Sequence, residues 1–169
     1  SYKPHITEML KKTYAKIGAL RRLKRMVPTD TLINLYNVYV LPHLEYCSPL
    51  LIGINISLRK KLEHANYYGL RTLMNLSNNV SYESVLSLTS MRSLEHRRYE
   101  QSLIVFYKSF KQQGPTYISN FFKPRITPYN LRGQGHNVTQ ESYNSSYLHN
   151  SFSYIISRIW NQLPLSIKS

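Results

Sequence analysis

The sequence predicts a mostly α-helical chain: a helical bundle, then a loop-rich C-terminal segment ending in a short terminal helix. Three observations predict it. Apolar residues recur at the helical period through most of residues 4–110. Pro4, Pro28 and Gly114-Pro115 punctuate those runs where helices start and stop. After residue 115 the texture changes, and Asn, Ser, Tyr, Gly and Pro dominate through residue 151.

The first element is a long amphipathic helix over residues 4–26. Ile6, Met9, Leu10, Thr13, Ile17 and Leu20 share one face at 3.6-residue spacing. Pro4 suits its first turn, and Pro28 closes it. A second helix starts near Thr29, read as its N-cap, with Asp30 where the helix dipole favours a negative charge. Leu32, Leu35, Tyr36, Tyr39 and Val40 form its apolar face, and Pro42 kinks or ends it. Residues 43–54 read as apolar and partly helical. Ser57 is read as the cap of a third helix, which carries Leu58, Leu62, Ala65, Leu70, Leu73 and Leu76 until Asn78-Asn79 breaks it. Ser81 opens a short helix through Leu88. Ser93 opens a longer one, with Leu103, Phe106, Tyr107 and Phe110 in the repeat. A short strand is expected around Asn137–Gln140, and a final helix over Phe152–Asn161.

Residues 31–58 carry one formal charge, Glu45, but prolines, asparagines and His43 interrupt the run. A membrane span needs about 20 predominantly apolar residues. A buried helix pair is the better reading, with no membrane partner.

Charge narrows function further. The 169 residues hold 22 Lys and Arg against 8 Asp and Glu, net +14. Such an excess points to a polyanionic partner. Residues 1–25 alone hold eight basic residues against Glu8, net +7 and half the total. On a helical wheel Lys3, Lys11, Tyr14, Arg21, Arg22 and Arg25 fall within a stripe of about 100° that borders the apolar face. A helix so marked packs on one side and offers the other to phosphates. A plain solvated cationic face is the competing reading. Tyr67 and Tyr68 precede Arg71, an aromatic–basic pairing able to stack on bases, although most of the 15 tyrosines read as half-buried packing. The run Glu95-His96-Arg97-Arg98-Tyr99-Glu100 reads as a surface helix neutralising itself at three-residue spacing.

Catalytic constellations are missing. Asp30 is the only aspartate, so two divalent metals on clustered aspartates have no ligands here. The single cysteine, Cys47, excludes an internal disulfide and a Cys-based zinc site. Cys47 lies four residues after His43, and the pair reads as buried and structural rather than as a nucleophile and its base. No glycine-rich phosphate loop or paired zinc-binding histidines appear. The chain is expected to be non-catalytic by itself, with no cofactor and no metal.

Several stretches resemble one family. Tyr2-Lys3-Pro4-His5-Ile6, followed by Lys11, Lys16 and Leu20-Arg21-Arg22-Leu23, resembles the start of the thumb in reverse transcriptases of LINE-type (non-LTR, jockey-like) retrotransposons. Leu35-Tyr36 with Val40-Leu41-Pro42-His43-Leu44-Glu45-Tyr46-Cys47 is similar to that family's thumb helices. Tyr82-Glu83 and Ser93-Leu94-Glu95-His96-Arg97-Arg98, running to Tyr107-Lys108, resemble its post-thumb helical region. Asn130-Leu131-Arg132-Gly133 and Ser151-Phe152, then Ile159-Trp160-Asn161-Gln162-Leu163-Pro164, resemble the tail. The order agrees along nearly the whole chain. Two positions depart: Leu50-Leu51 stands where a tryptophan is common, and Asn66 where a glutamine is.

The resemblance implies a thumb-like basic bundle over residues 1–54, a post-thumb helical region over 55–114 and a loop-rich tail over 115–169. It implies a C-terminal fragment of an RNA-directed DNA polymerase, since the sequence begins at Ser1 beyond the family's palm. The palm's aspartate pair and its Mg2+ belong to that upstream part, which becomes a partner of the same polyprotein. The other expected partner is RNA or RNA–DNA duplex, gripped without sequence preference by Lys11, Tyr14, Arg21, Arg22 and Arg25, in an intracellular, nuclear or cytoplasmic setting. The alternative is a decayed or domesticated helical protein-interaction module with no nucleic-acid role.

Overall fold

The computed structural model describes residues 2–126, 136–140 and 145–168. It is mostly α-helical, as the periodicity predicts. The helices are α1 (Lys3–Leu23), α2 (Thr29–Tyr39), α3 (Leu41–Glu45), α4 (Ile56–Leu73), α5 (Tyr82–Leu88), α6 (Leu94–Phe110), α7 (Thr116–Ser119), α8 (Ser146–His149), α9 (Phe152–Gln162) and α10 (Leu165–Lys168). The chain divides into two compact units. The first comprises Ser1–Ser48 and Ile54–Arg98, the second Pro49–Gly53 and Tyr99–Ser169. Among the described residues no helix is long and apolar enough to cross a membrane.

In the first unit, α1 packs against α2, α3 and α4. Ile6, Met9, Thr13, Ile17 and Leu20 are buried on one face of α1, as their spacing requires. Leu32 and Tyr36 of α2 and Leu62, Ala65, Leu70 and Leu73 of α4 are buried as well. Tyr39, placed on the apolar face by the sequence, is instead 54% exposed. Gly69 permits the closest approach. A Cβ there would lie 2.7 Å from Tyr36 Cε2 and 2.9 Å from Ile17 Cδ1. Contacts between α1 and α4 run in the same order along both helices: Tyr14 meets Tyr68, Ile17 meets Gly69, and Lys24 just beyond α1 meets Asn75 just beyond α4. The two helices are therefore parallel, and their C-terminal ends lie together.

A buried polar chain crosses this core. The Tyr36 hydroxyl donates to Asn66 Oδ1 (2.7 Å), Asn66 Nδ2 donates to the Tyr82 hydroxyl (2.8 Å), and that hydroxyl donates to Glu63 Oε2 (2.5 Å). The Glu63 carboxylate also accepts the backbone N–H groups of Leu94 (3.3 Å) and Glu95 (2.6 Å). It thus satisfies donors that the first turn of α6 leaves open. Burial, with Glu63 beside them, pushes both tyrosine hydroxyls well above their usual ionisation range.

Several helix ends differ from the sequence reading. Thr29 is the first residue of α2, and Pro28 precedes it without a side-chain cap. Asn55, not Ser57, caps α4, its Oδ1 accepting from Leu58 N at 2.9 Å. Ser81 caps α5 as expected. Three helices end in one motif. Asn75 (φ 61°), Ser90 (φ 52°) and Gln112 (φ 56°) adopt the left-handed conformation usually given to glycine after α4, α5 and α6. In each the following N–H bonds back five residues: Leu76 to Arg71, Met91 to Leu86, and Gln113 to Lys108. The stop of α4 is therefore Asn75, ahead of Asn78-Asn79. The pair His43 and Cys47 shares no helix, because α3 ends at Glu45 and Cys47 turns left-handed at φ 54°. Cys47 is exposed rather than buried.

In the second unit Ile52, Phe106, Phe122, Val138, Ile156 and Trp160 form a buried cluster. Phe106 lies at its centre, 4.6 Å from Phe122, 4.9 Å from Trp160 and 5.6 Å from Phe110 between ring centroids. The segment 136–138 is held by side chains. Trp160 Nε1 donates to His136 O (2.7 Å), and the Asn161 amide both accepts from Val138 N (3.0 Å) and donates to Val138 O (3.0 Å). Lys168, only 3% exposed, donates to Asn137 Oδ1 and Asn161 O, both at 2.9 Å, and burial pushes its pKa below the usual lysine range. The strand expected near Asn137–Gln140 is reduced to one antiparallel bridge, Pro124 with Val138. Asn130-Leu131-Arg132-Gly133 lies outside the described residues.

Candidate nucleic-acid interface

The C-terminal end of α1 carries the densest charge. Gly18, Arg21, Arg22, Lys24 and Arg25, together with Asn75, line an open recess of about 880 Å³ with no carboxylate among them. Arg21, Arg22 and Arg25 are exposed, and their side chains make no hydrogen bond or ion pair with described residues. Lys24 is half-buried, and its Nζ donates to Asn75 Oδ1 at 2.7 Å. That bond depends on the left-handed turn at Asn75, which brings its amide beside the end of α1.

A second recess of about 240 Å³ adjoins the first. It shares Arg21, Lys24 and Asn75 and adds Tyr68, Arg71 and Thr72 of α4. Arg71 Nη1 hydrogen-bonds Asn78 Oδ1, and its guanidinium stands 5.3 Å from the centre of the Tyr67 ring. The Tyr67 hydroxyl in turn donates to Val80 O (2.7 Å). Arg71 is thereby held in place, whereas the three arginines of the first recess have no such anchor.

The parallel arrangement explains part of this crowding. Two helix C-termini side by side present a concentration of carbonyl partial negative charge, and cations in or just beyond the last turn offset it, typically by about 0.3–1 kcal/mol each. Four basic residues within five positions exceed what that role calls for, and most face water. They repel one another, and a bound polyanion relieves the repulsion.

Not every residue of the predicted stripe converges. Arg21, Arg22 and Arg25 share the recess, although α1 ends at Leu23 and Arg25 sits in the turn that follows. Lys11 is exposed but about 15 Å further up the helix, at 1.5 Å per residue. Tyr14 is 40% exposed and meets Tyr68 edge-on, ring centroids 5.7 Å apart. Burial and Tyr68 raise its hydroxyl above the usual range. Lys24, Arg71 and Asn75 escaped the stripe analysis. The Tyr68–Arg71 spacing was a partial signal for the α4 side.

The other charged run joins the bundle. Glu95 pairs with Arg59 of α4 (2.5 Å), and Arg97 pairs with Glu45 of α3. These are ties between helices, beyond the neutralisation along one helix that the sequence suggested. His43 is half-buried, and burial together with Lys16 and Lys12 lowers its pKa. Among the described residues no three His, Cys, Asp or Glu side chains stand close enough to hold a metal ion. No family model, curated protein or solved structure matches the chain.

Proposed function

We propose that this chain grips nucleic acid through backbone phosphates and makes or breaks no bond itself. The observation that carries the reading is the convergence of Arg21, Arg22, Lys24 and Arg25 on one open recess with no carboxylate among its described lining residues. Phosphate contacts position a polymer without reading its sequence. Such contacts need cations in water's reach on a rigid support, and α1, clamped along α4 at Gly69, is that support. The order of motifs, which resembles the thumb and post-thumb regions of LINE-type reverse transcriptases, favours RNA or RNA–DNA duplex as the partner. On that resemblance the bond-making belongs to a palm upstream, along with its Mg2+.

The test is a salt titration of RNA–DNA duplex binding by fluorescence anisotropy. Each neutralised phosphate adds about 0.9 to the log–log slope on B-form duplex, the nearest available guide. Changing Lys11, Arg21, Arg22 and Arg25 to Gln is expected to flatten the slope and weaken binding. A flat wild-type plot, or no loss in the variant, removes the proposal. A second reading has its own observation. Val38 and Tyr39, adjacent at the end of α2, are 67% and 54% exposed, apolar side chains of the kind protein partners cover. Its mark is partner binding indifferent to ionic strength.

A further inference from the structure

The seam between α1 and α4 has two chemically different ends. At one, Tyr14 and Tyr68 form an edge-on aromatic pair with an interplanar angle of 65°. In such a pair one ring turns its rim to the other and keeps both its own faces clear of it. At the other end stand the cations. Gly18 lies between them on α1, and a Cβ built there meets nothing within 4 Å, so this flank of α1 is uncovered. Tyr68 itself lines the 240 Å³ recess with Arg21 and Arg71. A ring and two guanidinium-bearing chains thus surround one small space.

A continuous ridge of cations suits a duplex, whose outer surface is phosphate and whose base faces are covered by their neighbours. An aromatic wall inside a cationic recess suits something else. It offers a stacking partner to a base whose face is free, and free faces belong to unpaired nucleotides. The space is below the range of about 300–1,000 Å³ typical for whole drug-sized ligands. It matches a single unit of a polymer better than a folded ligand.

We infer that the recess bounded by Tyr68, Arg21 and Arg71 seats one unpaired nucleotide of a single-stranded nucleic acid, base against the Tyr68 ring and phosphate against the arginines. The inference rests on the reading that the first unit's cations hold phosphates, and it adds a seat for an unpaired nucleotide beside that grip. Tyrosine is needed here for its ring and not for its hydroxyl, since Tyr68 does not use its hydroxyl in a hydrogen bond with described residues.

The experiment compares a single-stranded oligoadenylate with an RNA duplex of the same length, both titrated against the full chain at low salt. Tyr68→Leu is expected to weaken oligoadenylate binding roughly tenfold, the scale of losing one base–aromatic stack, and duplex binding by much less. Tyr68→Phe retains wild-type affinity for both. Because Tyr68 is half-buried, the circular dichroism spectrum and urea midpoint of Tyr68→Leu, matched to the wild type, guard against a folding artefact. Equal losses on the two ligands, or no loss on either, overturn the inference while leaving the phosphate reading standing. If the wild type binds neither ligand, both fall.

Discussion

In the first unit the buried side chains are chiefly aliphatic and recur at helical spacing along α1, α2 and α4. The second unit gathers instead around the rings of Phe106, Phe122 and Trp160, and it holds residues 136–138 by side-chain hydrogen bonds from α9. Periodic aliphatic burial makes a rigid rod from local information, because each turn repeats the last. Aromatic clustering with amide and indole anchors draws on residues far apart in sequence and can order a segment with little secondary structure of its own. The two units also differ in how they use charge. The first holds 15 Lys and Arg against 6 Asp and Glu, the second 7 against 2, so both are cationic. The carboxylate-free basic recess at the end of α1 belongs to the first. Its cations stand on the rigid rod, whereas Lys168 of the second unit is buried for anchoring.

The largest effect expected from breaking this contrast is at Trp160. Trp160→Ala removes a ring packed on Phe106 and leaves His136 O without its donor. Urea denaturation followed by circular dichroism should show a loss of about 3–5 kcal/mol. Asn161→Asp keeps the size but loses the donor to Val138 O, at about 1–3 kcal/mol for the group left unpaired. If both changes cost less than Gly69→Ala, the second unit does not depend on its anchors.

Gly69→Ala is the matching test in the first unit. The added methyl meets Ile17 and Tyr36 below 3.0 Å, so α1 and α4 must part or the side chains must shift. Overpacking of this kind costs about 1–3 kcal/mol. Binding at the α1–α4 seam should weaken alongside stability.

Alkaline titration separates the units by sign. Tyr36 and Tyr82 have raised pKa values, so above pH ~10 the unfolded chain loses these protons while the folded chain keeps them. Stability then falls with rising pH, by about 1.4 kcal/mol per pH unit for each tyrosine. Lys168 acts the other way. Its folded pKa is lowered, so between that value and about 10.5 the unfolded state binds more protons, and stability rises with pH. Tyr36→Phe should blunt the alkaline fall, and Lys168→Met should remove the rise.

The smallest effects concern helix ends, where the units are expected to agree. Ser90→Gly in the first and Gln112→Gly in the second relieve left-handed residues, each worth about 0.5–1 kcal/mol in thermal or urea midpoints.

What the sequence revealed follows the same division. The buried face of α1, the Ser81 cap and the start of α9 after Ser151 were legible because they depend on neighbours within a turn. The three left-handed helix stops were not, since Asn75, Ser90 and Gln112 occupy a place that glycine would have announced. Cys47 was misjudged because its exposure follows from a left-handed turn and not from its apolar surroundings in sequence. At the recess, Arg21 and Arg22 could be read from the helical wheel. Lys24 could not, because its wheel position falls on the buried face and only the end of α1 at Leu23 frees it. Arg71 and Asn75 arrive from about fifty residues away through the parallel packing of α4, which no local pattern encodes.

If position rather than bulk charge makes the proposed phosphate grip, charges of the two units must differ in their effect on binding. The direct measurement is the salt dependence of RNA–DNA duplex binding for two charge-matched triple variants. One changes Arg21, Arg22 and Arg25 to Gln. The other changes Lys123, Arg125 and Arg158, exposed residues of the second unit, to Gln. The first variant is expected to lower the log–log slope by about 2–3, near 0.9 per lost contact, and the second by less than about 1. Equal reductions in the two would contradict the proposal.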